Sequence, residues 1–559
     1  MAAQSRGHIC HCLGRIEAVR RDSPVVISGL RRRTGGELVK GVRSLARGLA
    51  DSGVARGDVV AVAALNRYST ALSIELLRDR YMELFLAISY VGGIVAPLNH
   101  RWSFEEARMA MELVKPKMLA VDEYCSPWAV ELQTSDSLSS IKLYLLTGES
   151  SSSFNCNHRT TGKPKGVKIS HTALIVQSLA KIAIVGYGDD DVYLHTAPLC
   201  HIGGITSCIA MLLAGGCHVF IPKFDAKLTF EEIKNHQVTS FITVPAMMSD
   251  LISFVRKSNM LSDGETVRKI LNGGGGLSEE LTKCASHLFP HAKILSAYGM
   301  TEACSSLSFM TLFDPMFKKS SASFHDKINV EADSRHHHLG GVCVGKPPPH
   351  IELKISGSSD NCCTSFVGNI LTRGLHVMVG YWNSTEVIME GSAENRWLDT
   401  GDIGWLDGKG DLWLVGREKG RIKTGGENVY PEEVEAVLSQ HPGVSRVVVI
   451  GVPDIRFTEK VVACLNIKEG WKWVDHSSKY SLEAKEVSPE ILQEHCRQSN
   501  LSRSSVPSTS LMSIREQYDM PYLKQTLSSP KTLLMRNSNL SPEWTDCSVD
   551  PQGRNRYLM

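Results

Sequence analysis

Two periodicities alternate along the first three hundred residues. Phe104–Val114 (FEEARMAMELV) repeats its apolar positions at three- and four-residue spacing, which predicts a helix. Short β-rich runs bounded by turns recur at Gly216–Pro222, Ser240–Val244 and Lys293–Ala297. Alternation of the two kinds predicts α/β layering. From Gly368 to Gly404 the pattern changes to short strands, aromatics and turns, including LTRGLHVMVGYW, so a β-rich subdomain is expected on the α/β core. Asp411–Arg417 (DLWLVGR) reads as a strand ending in charge. A polar link follows over Glu418–Arg421. Then come a Gly425-Gly426 turn, a helix opened by Pro431 (PEEVEAVLSQ) and an apolar strand, Val444–Val452.

The expected organisation is therefore a large multi-sheet α/β N-terminal domain over 1–417 with a β-rich subdomain. A small α+β domain over 418–498 follows, and the hinge is expected at Lys419. Two stretches break the scheme: Thr134–Asn157 is Ser-rich, and from about Ser499 to Met559 the periodicity fades into Ser, Pro and Asn. Neither reads as core, and 499–559 is expected to be a poorly ordered tail.

Composition narrows the class. Of 559 residues 42% are hydrophobic and 21% charged, which fits a globular protein. Sixty-one Lys and Arg against 59 Asp and Glu leave +2, so no global field recruits nucleic acid or an anionic membrane, and a small-molecule partner is expected. The fifteen cysteines lack a repeated spacing and read as reduced thiols. The apolar runs Leu84–Leu98 and Cys208–Pro222 are short and interrupted by Gly, so no transmembrane segment is predicted.

The chemistry concentrates in glycine-rich turns. Thr160-Thr161-Gly162-Lys163-Pro164-Lys165-Gly166 combines hydroxyls, glycines and lysines, the groups that hold a phosphate through side-chain donors, close backbone N–H and charge. Its spacing is not that of a Walker A loop. Asn272–Gly276 (NGGGG) can bring backbone amides to a ligand. Tyr298-Gly299-Met300-Thr301-Glu302 follows the KILSA run at its carboxyl end, where ligands bind in open α/β sheets. Leu398–Asp402 (LDTGD) sets a carboxylate in a turn. Taken singly, each has a plainer reading: an exposed basic turn, a structural His201, a solvated charged turn at Arg417 and Lys423.

In order and at these distances, TTGKPKG, YGMTE, LDTGD, GREKGRIKTGGE (Gly416–Glu427) and PEEVE resemble the motif set of the acyl-adenylate-forming superfamily. Further stretches, APLNHRW, DVYLHTAPLCHIGG, FITVPAMM and TGGENVYPEEVEAVL among them, are similar to the plant 2-succinylbenzoate-CoA ligases of phylloquinone synthesis. The resemblance spans roughly residues 8–470. It implies joining of a carboxylic acid to coenzyme A with ATP and Mg²⁺, through an acyl-AMP. It further implies that Thr160, Thr161, Gly162, Lys165 and Gly166 hold the outgoing phosphates, with Gly273 and Gly274 beside the nucleotide. Tyr298, with Gly299 and Met300, would pack on adenine, Thr301 would bond the α-phosphate and Glu302 would hold Mg²⁺. Asp402 and Arg417 would grip the ribose, and His201 would border the acyl pocket. Lys419 would be the hinge, and Lys423 with Asn428 would serve the thioester-forming step.

Departures from the pattern are equally specific. Where the superfamily loop begins Ser/Thr-Ser/Thr-Gly-Ser/Thr, this chain reads Asn157, His158, Arg159 and Thr160. Ser151–Asn155 replaces the strand expected before the loop. The Gly-Lys-Ile/Val-x-Arg motif that carries the adenylation lysine is missing, and the tail lysines are Lys524 and Lys531. Impaired adenylation is therefore expected. Two alternatives stand: a 4-coumarate- or fatty-acyl-CoA ligase, and a noncatalytic nucleotide-binding protein. A plastid is the expected compartment and a peroxisome the alternative; Tyr557-Leu558-Met559 is not of the Ser-Lys-Leu type.

Overall fold

The helix predicted at Phe104–Val114 forms with those bounds, and its start is fixed locally. Ser103 accepts from the Glu106 backbone N–H, while the Glu106 carboxylate accepts from the Ser103 N–H, a reciprocal capping box. Lys115, in the left-handed conformation at φ 47°, ends it. The computed structural model describes residues 7–65, 81–122, 124–133, 138, 140–145, 165–258, 264–317, 341–356, 366–383, 389–390, 396–424, 427–454, 458–474, 485–498 and 512–513. Most of Thr134–Asn157, together with Thr160, Thr161 and Gly162, lies outside them.

Four parallel strands form the first sheet, in the order 94–97, 59–63, 118–121, 142–145. The second has eight: Ser305–Phe313, Lys293–Met300, Lys269–Asn272, Ser240–Thr243, Val192–His195, Cys217–Phe220, Pro24–Ser28 and Arg31–Thr34. Its interior pairs are parallel, and both outermost pairs are antiparallel. Strands such as Ser240–Thr243 are buried at every position, so no alternation of polar and apolar faces marks them. Helices cover them: Phe230, Ile233, Met248, Leu251 and Phe289 pack on Phe241, Ile270 and Ile294.

The β-rich subdomain is an antiparallel sheet in the order Val342–Gly345, Leu412–Arg417, Trp397–Leu406, Gly368–Arg373, Glu352–Ile355, with Met389–Glu390 added on Trp397–Leu406. It begins earlier than the Gly368 expected from sequence. Its first two strands have four residues each and flank the proline run Pro347–Pro349, too little chain for alternation to show.

Toward the C-terminus, Ile422–Thr424, Glu427–Val429, Thr458–Ile467 and Val444–Asp454 make another sheet, covered by helices Pro431–Ser439 and Pro489–Gln498. Met512 and Ser513, from the stretch read as tail, pair in parallel with Cys464 and Leu465.

Candidate active site

The strand Lys293–Met300 delivers the site. It runs three residues beyond the predicted Ala297, makes one 3₁₀ turn over Thr301–Ala303, and the chain returns antiparallel as Ser305–Phe313. The reversal is so tight that a Cβ on Gly299 would lie 1.6 Å from the Ser305 carbonyl oxygen, so only glycine fits there. Cys304 and Ser305 both take positive φ, 53° and 109°.

Glu302 is held from across the molecule. Its Oε1 accepts from the Tyr381 hydroxyl at 2.7 Å, and its backbone carbonyl accepts from the Met378 N–H at 2.8 Å. Tyr381 belongs to a two-residue strand, Gly380–Tyr381, paired with Val167–Lys168. Next to that pairing the Trp382 N–H donates to the Gly166 carbonyl at 2.7 Å, and the Lys165 ammonium sits 4.9 Å from the centre of the Tyr381 ring. Lys165 and Gly166, the part of the basic loop within the described residues, therefore hang on the ladder that orients Glu302.

On the other side of the turn, the Tyr298 hydroxyl donates to Asp402 Oδ2 at 2.5 Å. Arg417 Nε lies 3.2 Å from Asp402 Oδ1, the two residues facing each other across the antiparallel strands Trp397–Leu406 and Leu412–Arg417. Burial raises the Asp402 carboxyl above the usual range, and the Tyr298 hydroxyl and Arg417 guanidinium pull it back. Asp402 is 5% exposed, whereas the Arg417 side chain is 72% exposed, a reach suited to a ligand at the surface of the cleft.

Gly273 and Gly274 follow the adjacent strand, whose Asn272 pairs with Ser296. Asn272 donates from Nδ2 to the Gly275 carbonyl at 2.7 Å, and nothing lies within 4 Å of a Cβ built on Gly273, so its backbone is open to a ligand. His201 takes the N-cap position of the helix Ile202–Ala214 without a capping bond from its side chain. Nearby His100 is 4% exposed, and neither ring nitrogen has a hydrogen-bond partner. Burial and the charges of Arg101, His201 and Lys223 push it down to about 4.

Lys419 falls in the 3₁₀ turn Glu418–Gly420 between the β-rich sheet and the C-terminal sheet. Lys423 and Asn428 face each other in register across a hairpin of the latter. The side chains of these three lie outside the described residues. Thus Lys165, Gly166, Tyr298, Thr301, Glu302, Asp402 and Arg417 come together on the strand ends. No contact among the described residues joins His201 to them. Sequence reasoning missed Tyr381, whose segment MVGYW it read only as β-rich; its bond to Glu302 spans 79 residues of sequence, so no local pattern signals it.

The donor set fits a hard cation. Tyr381 engages one Glu302 oxygen, leaving Oε2 as a single carboxylate ligand of the kind Mg²⁺ takes alongside phosphate oxygens and water. Residues 15–153 and 160–382 match the model of the AMP-binding enzyme family, and 433–509 that of the AMP-binding enzyme C-terminal domain. The chain belongs to the AMP-binding enzyme family. The break in the match, between 153 and 160, falls where the loop loses its first residues.

A curated relative, the 2-succinylbenzoate-CoA ligase, chloroplastic/peroxisomal, of Arabidopsis thaliana, is 48% identical over 91% of this chain and 93% of its own. The 2-succinylbenzoate-CoA ligase of Bacillus cereus is 28% identical over 78% and 83%. Among solved structures, the o-succinylbenzoate CoA synthetase of Bacillus subtilis in complex with its acyl-adenylate intermediate superposes with a TM-score of 0.70 at 23% identity. It covers 93% of this chain and 98% of that one. The fold is that of the adenylate-forming enzymes, a large N-terminal domain and a smaller C-terminal one. Among the described residues no helix is long and apolar enough to cross a membrane.

Proposed function

We propose that this chain is an AMP-forming acid–thiol ligase whose acid is 2-succinylbenzoate. A carboxylate oxygen attacks the α-phosphorus of ATP, the bond to pyrophosphate breaks, and the thiol of coenzyme A then displaces AMP from the acyl carbon. Both steps redistribute negative charge, so positioning and cationic stabilisation should dominate. The observation that carries the reading is the single constellation in which Tyr298, Asp402 and Arg417 flank Thr301 and Glu302 while Lys165 closes the opposite edge.

In this reading Tyr298, with Gly299 and Met300, packs against adenine, with Gly273 and Gly274 beside it. Asp402 accepts from a ribose hydroxyl with Arg417 next to it, and Thr301 bonds the α-phosphate. Lys165 and Gly166, with Thr160, Thr161 and Gly162, hold the outgoing phosphates. Glu302 takes Mg²⁺, which bound there would neutralise phosphate charge. Lys423 and Asn428 serve thioester formation after rotation about Lys419. Asp402→Ala is expected to weaken AMP and adenosine alike by about 10- to 100-fold, the worth of a hydrogen bond to a charged acceptor. Equal affinity by calorimetry would remove Asp402 from the ribose.

The acid is argued from Arg101 and Lys223, whose positive charges act on His100, with Arg101 acting also on His201; burial pushes both imidazoles down, and neither His100 ring nitrogen has a hydrogen-bond partner. A dicarboxylate leaves one carboxylate ionised after activation, and that group needs such neighbours. The Arabidopsis relative, named chloroplastic/peroxisomal, supports a plastid or a peroxisome. Offered the synthetic acyl-AMPs of 2-succinylbenzoate, 4-coumarate and a medium-chain fatty acid with coenzyme A, the protein should favour the first at least tenfold. Preference for either competitor overturns the substrate.

A further inference from the structure

The turn that carries Thr301 and Glu302 holds two consecutive non-glycine residues, Cys304 and Ser305, in the region of backbone space that L side chains avoid. Such pairs persist only where surrounding structure over-determines them. The nearest constraint inside the turn is one bond, from the Cys304 N–H to the Thr301 carbonyl at 2.9 Å.

Beyond the pairing of Met300 with Ser305 and the bonds to Glu302, a further constraint comes from the helix His171–Val185. Gln177, fully buried on it, donates from Nε2 to the Ala303 carbonyl at 2.9 Å and to the Ser306 carbonyl at 2.8 Å. These carbonyls bracket the two strained residues, one on each side. Gln177 Oε1 is buried and has no partner, so the side chain leaves its own acceptor unsatisfied while both amide hydrogens reach the turn. The reverse amide orientation would set Oε1 against two carbonyl oxygens.

The helix itself is pinned to the helix Ile202–Ala214 beside Gln177. Ser178 donates to the Thr206 carbonyl at 3.2 Å, and the Lys181 ammonium donates to Thr206 Oγ1 at 2.6 Å and Ser207 Oγ at 3.1 Å. Gln177 therefore projects from a fixed base.

We propose that Gln177 is a positioning residue of the nucleotide site: by clamping the carbonyls of Ala303 and Ser306 it holds the strained turn that sets Thr301 against the α-phosphate. The proposal rests on the nucleotide reading above. It adds a residue that touches neither nucleotide nor acid and that acts through backbone conformation alone.

The test separates phosphate from nucleoside. Gln177→Met keeps the length of the side chain and removes both donors. Calorimetry on the full chain is expected to show about tenfold weaker AMP, with adenosine changed less than twofold. Hydrogen exchange of the amides at 302–306 is expected to accelerate at least tenfold. Adding Ser305→Gly, which accepts the positive φ without a Cβ, should bring AMP affinity back to within threefold of the unaltered protein.

Equal loss of AMP and adenosine, or no loss of either, overturns the proposal, as does a double variant no better than the single one. Should Gln177→Met fail to fold, Gln177→His, which retains one donor, is read by the same pair of ligands and the same exchange, and an unchanged AMP affinity overturns the proposal there too. If the unaltered chain binds neither AMP nor adenosine, the nucleotide reading falls and takes this proposal with it. Intact binding with an indifferent Gln177→Met removes this proposal alone.

Discussion

Given ATP and 2-succinylbenzoate, the purified chain should release pyrophosphate at least a hundredfold more slowly than a relative with an intact loop. Supplied with preformed acyl-AMP and coenzyme A, it should make thioester within about tenfold of that relative. The asymmetry follows from where the sequence is altered. By the family resemblance, Asn157, His158 and Arg159 occupy the sequence positions of hydroxyls and a glycine expected to meet the phosphates. Arg159 brings a Cβ and a long side chain to a point that backbone must approach. Residues 499–559 carry lysines only at 524 and 531, neither in the adenylation context. Removing one preorganised charge stabiliser typically costs about 10²- to 10³-fold in rate, and here two elements of the first step are affected. Lys423, by resemblance the residue of the second step, lies in a hairpin whose register is complete. Thioester formation from ATP at a relative's rate would refute this expectation, and failure of both steps with retained AMP binding would leave a noncatalytic nucleotide-binding protein.

Acidification should unfold the protein cooperatively between about pH 6 and 4.5. Three histidines are buried in three separate regions, His218 in the strand Cys217–Phe220, His376 in the turn after Gly368–Arg373 and His441 in the turn after Pro431–Ser439, at 0%, 0% and 1% exposure. Burial pushes His218 down to about 3. Burial and the neighbouring His350 push His376 down to about 4, and burial with His495 and Lys468 does the same to His441. The folded values lie below the ordinary 6.5, so between those limits the unfolded chain binds more protons. Stability is intact above about pH 6.5 and drains as pH falls toward the folded values. At pH 5 each group has given up at most about 2 kcal/mol, at 1.36 kcal/mol per pH unit, so together they remove a substantial share of a typical folding free energy. Asp402, Glu232, Asp250, Asp411 and Glu433 work in the opposite sense, because burial raises their folded pKa and protonation relieves that burial, so they offset part of the loss. Urea midpoints followed by circular dichroism across this range check the expectation, and a flat midpoint from pH 7 to 4.5 would contradict it.

Local interactions explain which elements could be read from sequence. The helix Phe104–Val114 was legible because its apolar period and its Ser103–Glu106 cap lie within twelve residues. Ser240–Thr243 and Cys217–Phe220 were legible as short β-rich runs bounded by turns, although both are buried on both faces and include polar residues. Val342–Gly345 and Glu352–Ile355 were not, since four residues beside prolines carry no period. At the site, Tyr298, Glu302, Asp402 and Arg417 stood out through glycine-rich context and family pattern. Tyr381 and Gln177 did not: one sits in an aromatic β segment and the other on an apolar helix face, and their partners are set by tertiary contacts alone.

The ladder joining Lys165 and Gly166 to Tyr381 and Trp382 has a consequence for how the chain acquires its site. Its pairs are separated by roughly two hundred residues of sequence, and Tyr298 meets Asp402 across 104. Contacts of such high order form late, after the loop-closure entropy of the intervening chain has been met. During synthesis the eight-stranded sheet has all its strands once residue 313 has emerged. The cleft gains its far wall only when Tyr381, Asp402 and Arg417 follow. A nascent chain halted between those points would carry a layered core with no place for a nucleotide, so ligand binding reports on completion of the β-rich sheet rather than on collapse of the core.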